Sequence, residues 1–537
     1  MTYFTSRRSA VVARRGAVAT SQPLAAQAGL RMLIDGGHAV DAAVAAAAAL
    51  NVLEPMSTGV GGDLFALIWD NTAKRVVALN GSGRSAAATN AADVRGKGYE
   101  RIPTAGPDAG LSVSVPGTVD GWQTALATYG RMTLRETLAP AIDYALNGFA
   151  VSEVIAYQWQ ANESKLAANP SGFEFLPGGR APSYGELVTL PALGRTLQAI
   201  AEGGRDAFYT GEIAERIAAF VQQKGGWLTA TDLANHRSDW DEPIHTDYRG
   251  VTVWECPPNG QGIAALLALN IAEGFALPVM PAQSPEVYHY LIESMRLAFA
   301  DALQYVADPR AVDVPIAQLL SKTYAARRRA AILPAAALVD VAYGNPSGSA
   351  DTVYVTAIDA AGNACSFINS VFHSFGSGLV VPSTGIVLQN RGALFALDPA
   401  HPNYAQGNQR PYQTIIPGMA TRDGELWLSF GVMGGFQQPQ GHLQVISNMV
   451  DFGMDAQRAL DALRFHIDVA GSGVVMLEAG VPDETVRALR DRGHRIEIVD
   501  GYERILLGGG QIISRDVESG VLIAGSEPRK DGAAVGW

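Results

Sequence analysis

A chain of 537 residues that is 48% hydrophobic and 17% charged holds ample material for a large core, which excludes intrinsic disorder as its normal state. Its formal net charge of −12 argues against nucleic acid and anionic membrane as partners, because both would repel it. The two cysteines, Cys256 and Cys365, lie far apart and cannot build a disulfide framework or a cysteine-rich metal site.

Composition is even from end to end and no low-complexity linker divides the chain, so one large globule or two interleaved halves is expected. Arg7-Arg8 is followed by Arg14 and Arg15 and by no apolar core, so neither a secretory nor a twin-arginine export signal is expected, and cytoplasmic residence follows by default. Ser21 and Pro23 supply start chemistry for a helix over 24–35, which Gly36-Gly37 stops. A second helix is expected over 41–53. Its alanine-rich run is too short to span a bilayer, and its small residues allow close packing against a neighbour. The glycine-rich stretch from Met56 to Asp63 precedes a strand over 64–69. A phosphate-binding loop would need a helix and a lysine there, so a structural turn is expected.

Arg84 stands among small residues, where a guanidinium could clamp a carboxylate with two hydrogen bonds, although most arginines are simply solvated. Val115 to Trp122 reads as a turn entering a helix. From 130 to 250 helical stretches alternate with polar loops and carry no recognisable chemistry. A helix over 285–306 has Val287, Leu291, Met295, Ala298 and Ala302 on one buried face.

The stretch 347–378 organises the rest. From Thr352 to Ile358 apolar and polar residues alternate, with Thr352, Tyr354, Thr356 and Ile358 on one face and Val353, Val355 and Ala357 on the other, which describes a half-buried strand. A turn at 359–363 leads into a second run at 364–369, so the pair reads as a hairpin. The small, polar segment 344–351 before it is expected to deliver an exposed peptide bond that can be cut without loss of the core. Further strands are expected over 386–388, 414–419 and 425–430, and helices over 442–450, 455–464 and 482–492. Sheets layered between two groups of helices would accommodate this order.

The chain has no G-x-S-x-G elbow, no H-E-x-x-H helix and no C-x-x-C pair. What remains is Thr352 at the start of a strand. Cleavage of the Asp351-Thr352 bond would give Thr352 a free α-amino group with a reference pKa of about 7.7–8.0, able to take the proton from its own hydroxyl. A buried strand threonine is the ordinary alternative. Gly434-Gly435 could present two backbone N–H groups to an oxyanion, or simply make a turn. Ser370 could hydrogen-bond a nucleophile, or belong to a turn.

Several separated stretches carry a resemblance in consistent order: 19–24, 54–62, Val115-Pro116-Gly117, Asp359 with Gly362-Asn363-Ala364, Phe375-Gly376-Ser377-Gly378, Arg410-Pro411 and Gly434-Gly435. With them the chain resembles the γ-glutamyltransferase family of N-terminal-nucleophile hydrolases over nearly its whole length. The resemblance implies an α+β fold, a four-layer αββα sandwich, and autocatalytic cleavage between Asp351 and Thr352. The large chain 1–351 and the small chain 352–537 would stay together as one globular unit, with higher homo-oligomers left open. By position, Thr352 would be the nucleophile, Ser370 its supporting hydroxyl, Gly434 and Gly435 the oxyanion hole, and Arg84 the carboxylate clamp.

The departures concern the substrate. Arg391 and Leu394 stand where the family holds the substrate's α-ammonium with an acidic residue and its neighbours, Gln413-Thr414 replaces a pair of serines, and Phe372 occupies an asparagine position. A leucine cannot pair an ammonium and an arginine repels one. The expected function is therefore hydrolysis of an amide through an acyl-enzyme on Thr352, as in the branch that includes glutathione-hydrolase-like proteins and amidases of small acids such as oxamate. No metal or cofactor is expected. The alternatives are γ-glutamyl hydrolysis or transfer, and a non-catalytic binding protein on the same fold.

Overall fold

The computed structural model describes residues 8–339, 341, 350–469 and 471–537. Of the loose segment expected at 344–351, residues 344–349 lie outside the described residues, while Ala350 and Asp351 are not loop but open the strand Ala350–Ile358. Among the described residues no helix is long and apolar enough to cross a membrane.

Two seven-stranded antiparallel sheets form the centre. The first runs in the order Ala533–Gly536, Ala17–Thr20, Ala350–Ile358, Ala364–His373, Asp63–Asp70, Arg75–Gly81 and Asp239–Asp241. The second runs Val11–Ala13, Leu522–Ser526, Gly509–Arg515, Glu425–Met433, Gly418–Arg422, Val251–Glu255 and Ile244–Tyr248. Phe65, Tyr354, Ile368, Met419 and Ile513 are buried between them. Helices Pro23–Ile34 and Ala39–Leu53 cover the first sheet, with Leu134–Asn147 packed against Ala39–Leu53, and Gly262–Ala272 and Gln437–Val450 cover the second, with Pro285–Tyr305 packed against Gly262–Ala272. Helix, sheet, sheet and helix make the four-layer α+β sandwich that the resemblance implies.

The expected hairpin forms, with Val355 opposite Phe367 and Ala357 opposite Cys365. Its two faces divide as the alternation requires: Tyr354 and Ile358 enter the layer between the sheets, while Val353, Val355 and Ala357 meet the helices. It is not half-buried, however. With a second sheet on one side and helices on the other, polar Thr356 is buried as well, its hydroxyl donating to Ser429 Oγ at 2.7 Å.

The alanine-rich helix is buried at every position. Its small side chains let the preceding helix, Pro23–Ile34, approach so closely that a Cβ on Gly29 would stand 2.9 Å from the Ala42 carbonyl oxygen. Asp41 is tolerated there because its carboxylate accepts the backbone N–H groups of His38 (2.7 Å) and Arg131 (2.9 Å). Two expectations shift. The first helix is capped by Gln22 rather than Ser21, whose hydroxyl instead donates to Glu54 at 2.5 Å. The strand expected over 414–419 begins at Gly418, because the backbone at Gln413 is paired with Asn259 and Gln261 outside either sheet.

Candidate active site

A bulge between Asp351 and Val353 takes Thr352 out of the ladder to the neighbouring strand. Thr352 is fully buried and its hydroxyl donates to Ser370 Oγ at 3.2 Å. Ser370 Oγ also accepts the Phe372 N–H at 2.8 Å, so it is oriented by its own strand. On the other side Gln438 Nε2 reaches Thr352 Oγ1 at 3.5 Å, with its own amide oxygen accepting the Ile416 N–H at 2.8 Å.

Gly434 and Gly435 lie between the strand Glu425–Met433 and the helix Gln437–Val450, at φ of +123° and +59°. Their carbonyls face away into the fold, accepting Gln437 N–H (3.0 Å) at Gly434 and Gln261 Nε2 (2.9 Å) at Gly435. Among the described residues neither glycine N–H has an acceptor. Two donors at the start of a helix make a site for developing negative charge. The glycine-rich turn at 56–63 is structural, as expected: a Cβ on Gly62 would stand 2.4 Å from the Ser370 carbonyl oxygen.

The residues that depart from the family pattern meet in one place. Arg391 is fully buried, its Nη1 donates to Thr414 Oγ1 at 2.5 Å, and its guanidinium lies 4.6 Å from the centre of the Phe372 ring. Phe372 takes a φ of +77°, unusual for an aromatic residue, in the strand that carries Ser370. Gln413 Nε2 donates to Asp63 Oδ2 at 2.9 Å. Leu394 and Phe372, with Leu303, Phe395 and Tyr412, line a cavity of about 520 Å³. A second cavity, of about 370 Å³, borders Gly434 and Phe436.

Arg84 has a different partner. It donates to Asp239 at 3.1 Å, and Arg310 (3.1 Å) and Arg410 (2.6 Å) share that carboxylate.

Sequence reasoning missed Asp63, whose only signal was a carboxylate opening an apolar strand. It pairs in register with Ser370, and its carboxylate accepts Gly83 N–H (2.8 Å) and Gln389 Nε2 (3.0 Å) as well as Gln413. Burial pushes Asp63 up to about 6 against the pull of Arg391, and burial pushes Arg391 down to about 9 against the pull of Asp63. Both shifts express an ion pair too far apart, at 3.9 Å, to compensate its own desolvation.

His289, Glu293 and His494 are close enough to hold a metal ion, but they share no residue with this site. They are engaged with one another and with Arg296, His289 meeting His494 at 2.8 Å and Arg296 donating to Glu293 at 3.1 Å.

A family model described as Gamma-glutamyltranspeptidase matches residues 25–537. The chain is 40% identical over 533 residues to the Glutathione hydrolase-like YwrD proenzyme of Bacillus subtilis, covering 98% of this chain and 99% of that one. It is 34% identical to the Oxamate amidohydrolase proenzyme of Klebsiella pneumoniae, covering 98% of this chain and 100% of that one. Its fold matches the crystal structure of a cephalosporin acylase from Bacillus halodurans with a TM-score of 0.92 at 45% identity, covering 100% and 98% of the two chains. These relatives carry the names of hydrolases and acylases, two of them as proenzymes. On the whole-length match of sequence and fold, the chain belongs to the gamma-glutamyltranspeptidase family.

Proposed function

We infer that this chain is a self-processing amidohydrolase with Thr352 as its nucleophile, acting on the amide of a small carboxylate-bearing acid such as oxamate. The observation that carries the reading is the buried Thr352–Ser370 hydroxyl pair at 3.2 Å on a bulged strand end. Gln438, the second residue of the helix that Gly434-Gly435 precede, reaches the same hydroxyl. In processing, the Thr352 hydroxyl attacks the Asp351 carbonyl and the C–N bond breaks to leave an ester. Water then hydrolyses that ester, giving an Asp351 carboxylate and a free Thr352 amine. The two chains, 1–351 and 352–537, stay packed because their strands share both sheets.

In turnover the Thr352 amine takes the hydroxyl proton as the oxygen attacks the substrate carbonyl. The N–H groups of Gly434 and Gly435 receive the oxyanion, the leaving amine departs with the proton, and water releases the acid. Ser370 holds the attacking oxygen in line. Ser370→Ala is expected to lower kcat about 10-fold to 100-fold with little change in KM, the size of one lost hydrogen bond that acts in the transition state. Steady-state kinetics on fully cleaved protein measures this.

Arg391 favours an acid without an α-ammonium, since its charge would repel one. The relative named as a glutathione hydrolase-like protein favours the second reading, γ-glutamyl hydrolysis. A panel of amides separates the two. We expect kcat/KM for a chromogenic γ-glutamyl anilide at least about 100-fold below that for the best α-amino-free acid amide. The reverse order would overturn the substrate assignment, and a chain that stays uncut and turns over neither would favour a binding protein.

A further inference from the structure

We propose that Arg391, together with the Thr414 hydroxyl, is the seat of a carboxylate on the acyl half of the substrate, and that Asp63 is the internal counter-ion that sets how strongly this seat attracts it. The substrate class is then the monoamides of short dicarboxylic acids. This inference rests on the reading of Thr352 as the nucleophile of an amidohydrolase.

Arg391 is fully buried, yet only its Nη1 is satisfied, by Thr414 at 2.5 Å. Among the described residues neither its Nε nor its Nη2 has an acceptor. A guanidinium without partners in the interior is strongly unfavourable, and its planar fork of donors matches a carboxylate with two parallel hydrogen bonds. Asp63 does not close the fork. Its nearer oxygen stays 3.9 Å from Arg391 Nε, while its two oxygens hold the neutral donors of Gly83, Gln389 and Gln413.

The other candidate, Arg84, is already committed to Asp239 beside Arg310 and Arg410. The Arg391 fork is also tied to the nucleophile's own hairpin. Phe372, whose ring covers one face of the guanidinium, donates its N–H to Ser370 Oγ, which accepts from Thr352.

Asp63 makes the seat respond to pH. Its titratable neighbours are Arg391 and the buried Tyr209 hydroxyl, itself held protonated far above its usual range by burial; Gly83, Gln389 and Gln413 are neutral. Near pH 6 Asp63 passes from the neutral to the charged form, so below that pH the Arg391 charge stands uncompensated and above it is partly cancelled. Preference for a carboxylate should therefore weaken as pH rises.

The test compares each acid amide with an uncharged isostere on fully cleaved protein, an acetyl group replacing the carboxylate: oxamate against pyruvamide, and succinamate against levulinamide. The ratio of the two kcat/KM values cancels any ionisation of the Thr352 amine, which both substrates share. In at least one pair the wild-type ratio is expected to be about 100 or more, to fall at least about 30-fold in Arg391→Met, and to decline between pH 5 and pH 8. Asp63→Asn should raise the ratio at pH 8 and flatten its pH dependence, a change that mere structural damage would not produce. Should Arg391→Met fail to mature, the wild-type ratio and Asp63→Asn carry the test. Ratios near one in both pairs, or ratios unmoved by Arg391→Met, overturn the proposal while amide turnover through Thr352 leaves the nucleophile standing. Cleaved protein that hydrolyses none of the four amides overturns both.

Discussion

Thr352→Ala is expected to remain a single full-length chain on a denaturing gel and to lose amidase activity by at least about 10⁴-fold, whereas the wild type separates into 1–351 and 352–537. Both effects have one cause. The hydroxyl that would break the Asp351-Thr352 bond is the same atom that would later attack substrate, and alanine removes it from both reactions. The fold should survive, because the substitution deletes only two buried hydrogen bonds, to Ser370 at 3.2 Å and from Gln438 at 3.5 Å, worth about 1 kcal/mol each, and one methyl group. A melting temperature within a few degrees of the wild-type precursor checks that. Thr352→Ser keeps the hydroxyl and should still cleave and turn over, more slowly because the oxygen has lost the methyl that fixes its rotamer. N-terminal sequencing of the small chain decides the position: any first residue other than Thr352 would sink the assignment.

Gly434→Ala is expected to lower kcat about 10²-fold to 10³-fold in protein that has been cleaved to completion, with KM changed by no more than a few fold. At a φ of +123° the backbone of Gly434 is in territory that only glycine occupies comfortably, and an added Cβ would stand 3.2 Å from the Cβ of Gln437. Relief of a strain of about 1–3 kcal/mol requires the peptide to rotate, and rotation turns an N–H away from the oxyanion. Gly424→Ala provides the comparison. It carries a similar backbone burden at a φ of +78°, meets no atom within 4 Å, and lies in the turn between the strands Gly418–Arg422 and Glu425–Met433. Its kcat should match the wild type. Equal kcat values for the two variants would remove Gly434 from the oxyanion hole.

The hairpin was readable from Thr352 to Asn369 because alternation with a period of two states which side chains share a face, whatever surrounds them. The helices at Pro23–Ile34, Ala39–Leu53 and Pro285–Tyr305 were equally readable from their start signals and apolar spacing. Less was readable where segments serve the interior without regular pairing. Thr414 was expected in a strand, yet it sits in an irregular run whose polar groups are bound by Gln261 and Arg391.

Sequence by itself determined the local chemistry: a hydroxyl at a strand end, two adjacent glycines, and Arg391 and Leu394 where the family keeps an acid and its neighbours. Local patterns follow from covalent geometry and the polarity of neighbouring residues, so they survive without the rest of the molecule. Tertiary structure decided how those groups are charged and paired. It buried the hairpin on both faces, turned Arg84 onto Asp239, and set Asp63 3.9 Å from Arg391 with too little contact to neutralise it. These pairings join distant parts of the chain, and their strength depends on burial, which periodicity along one segment does not encode.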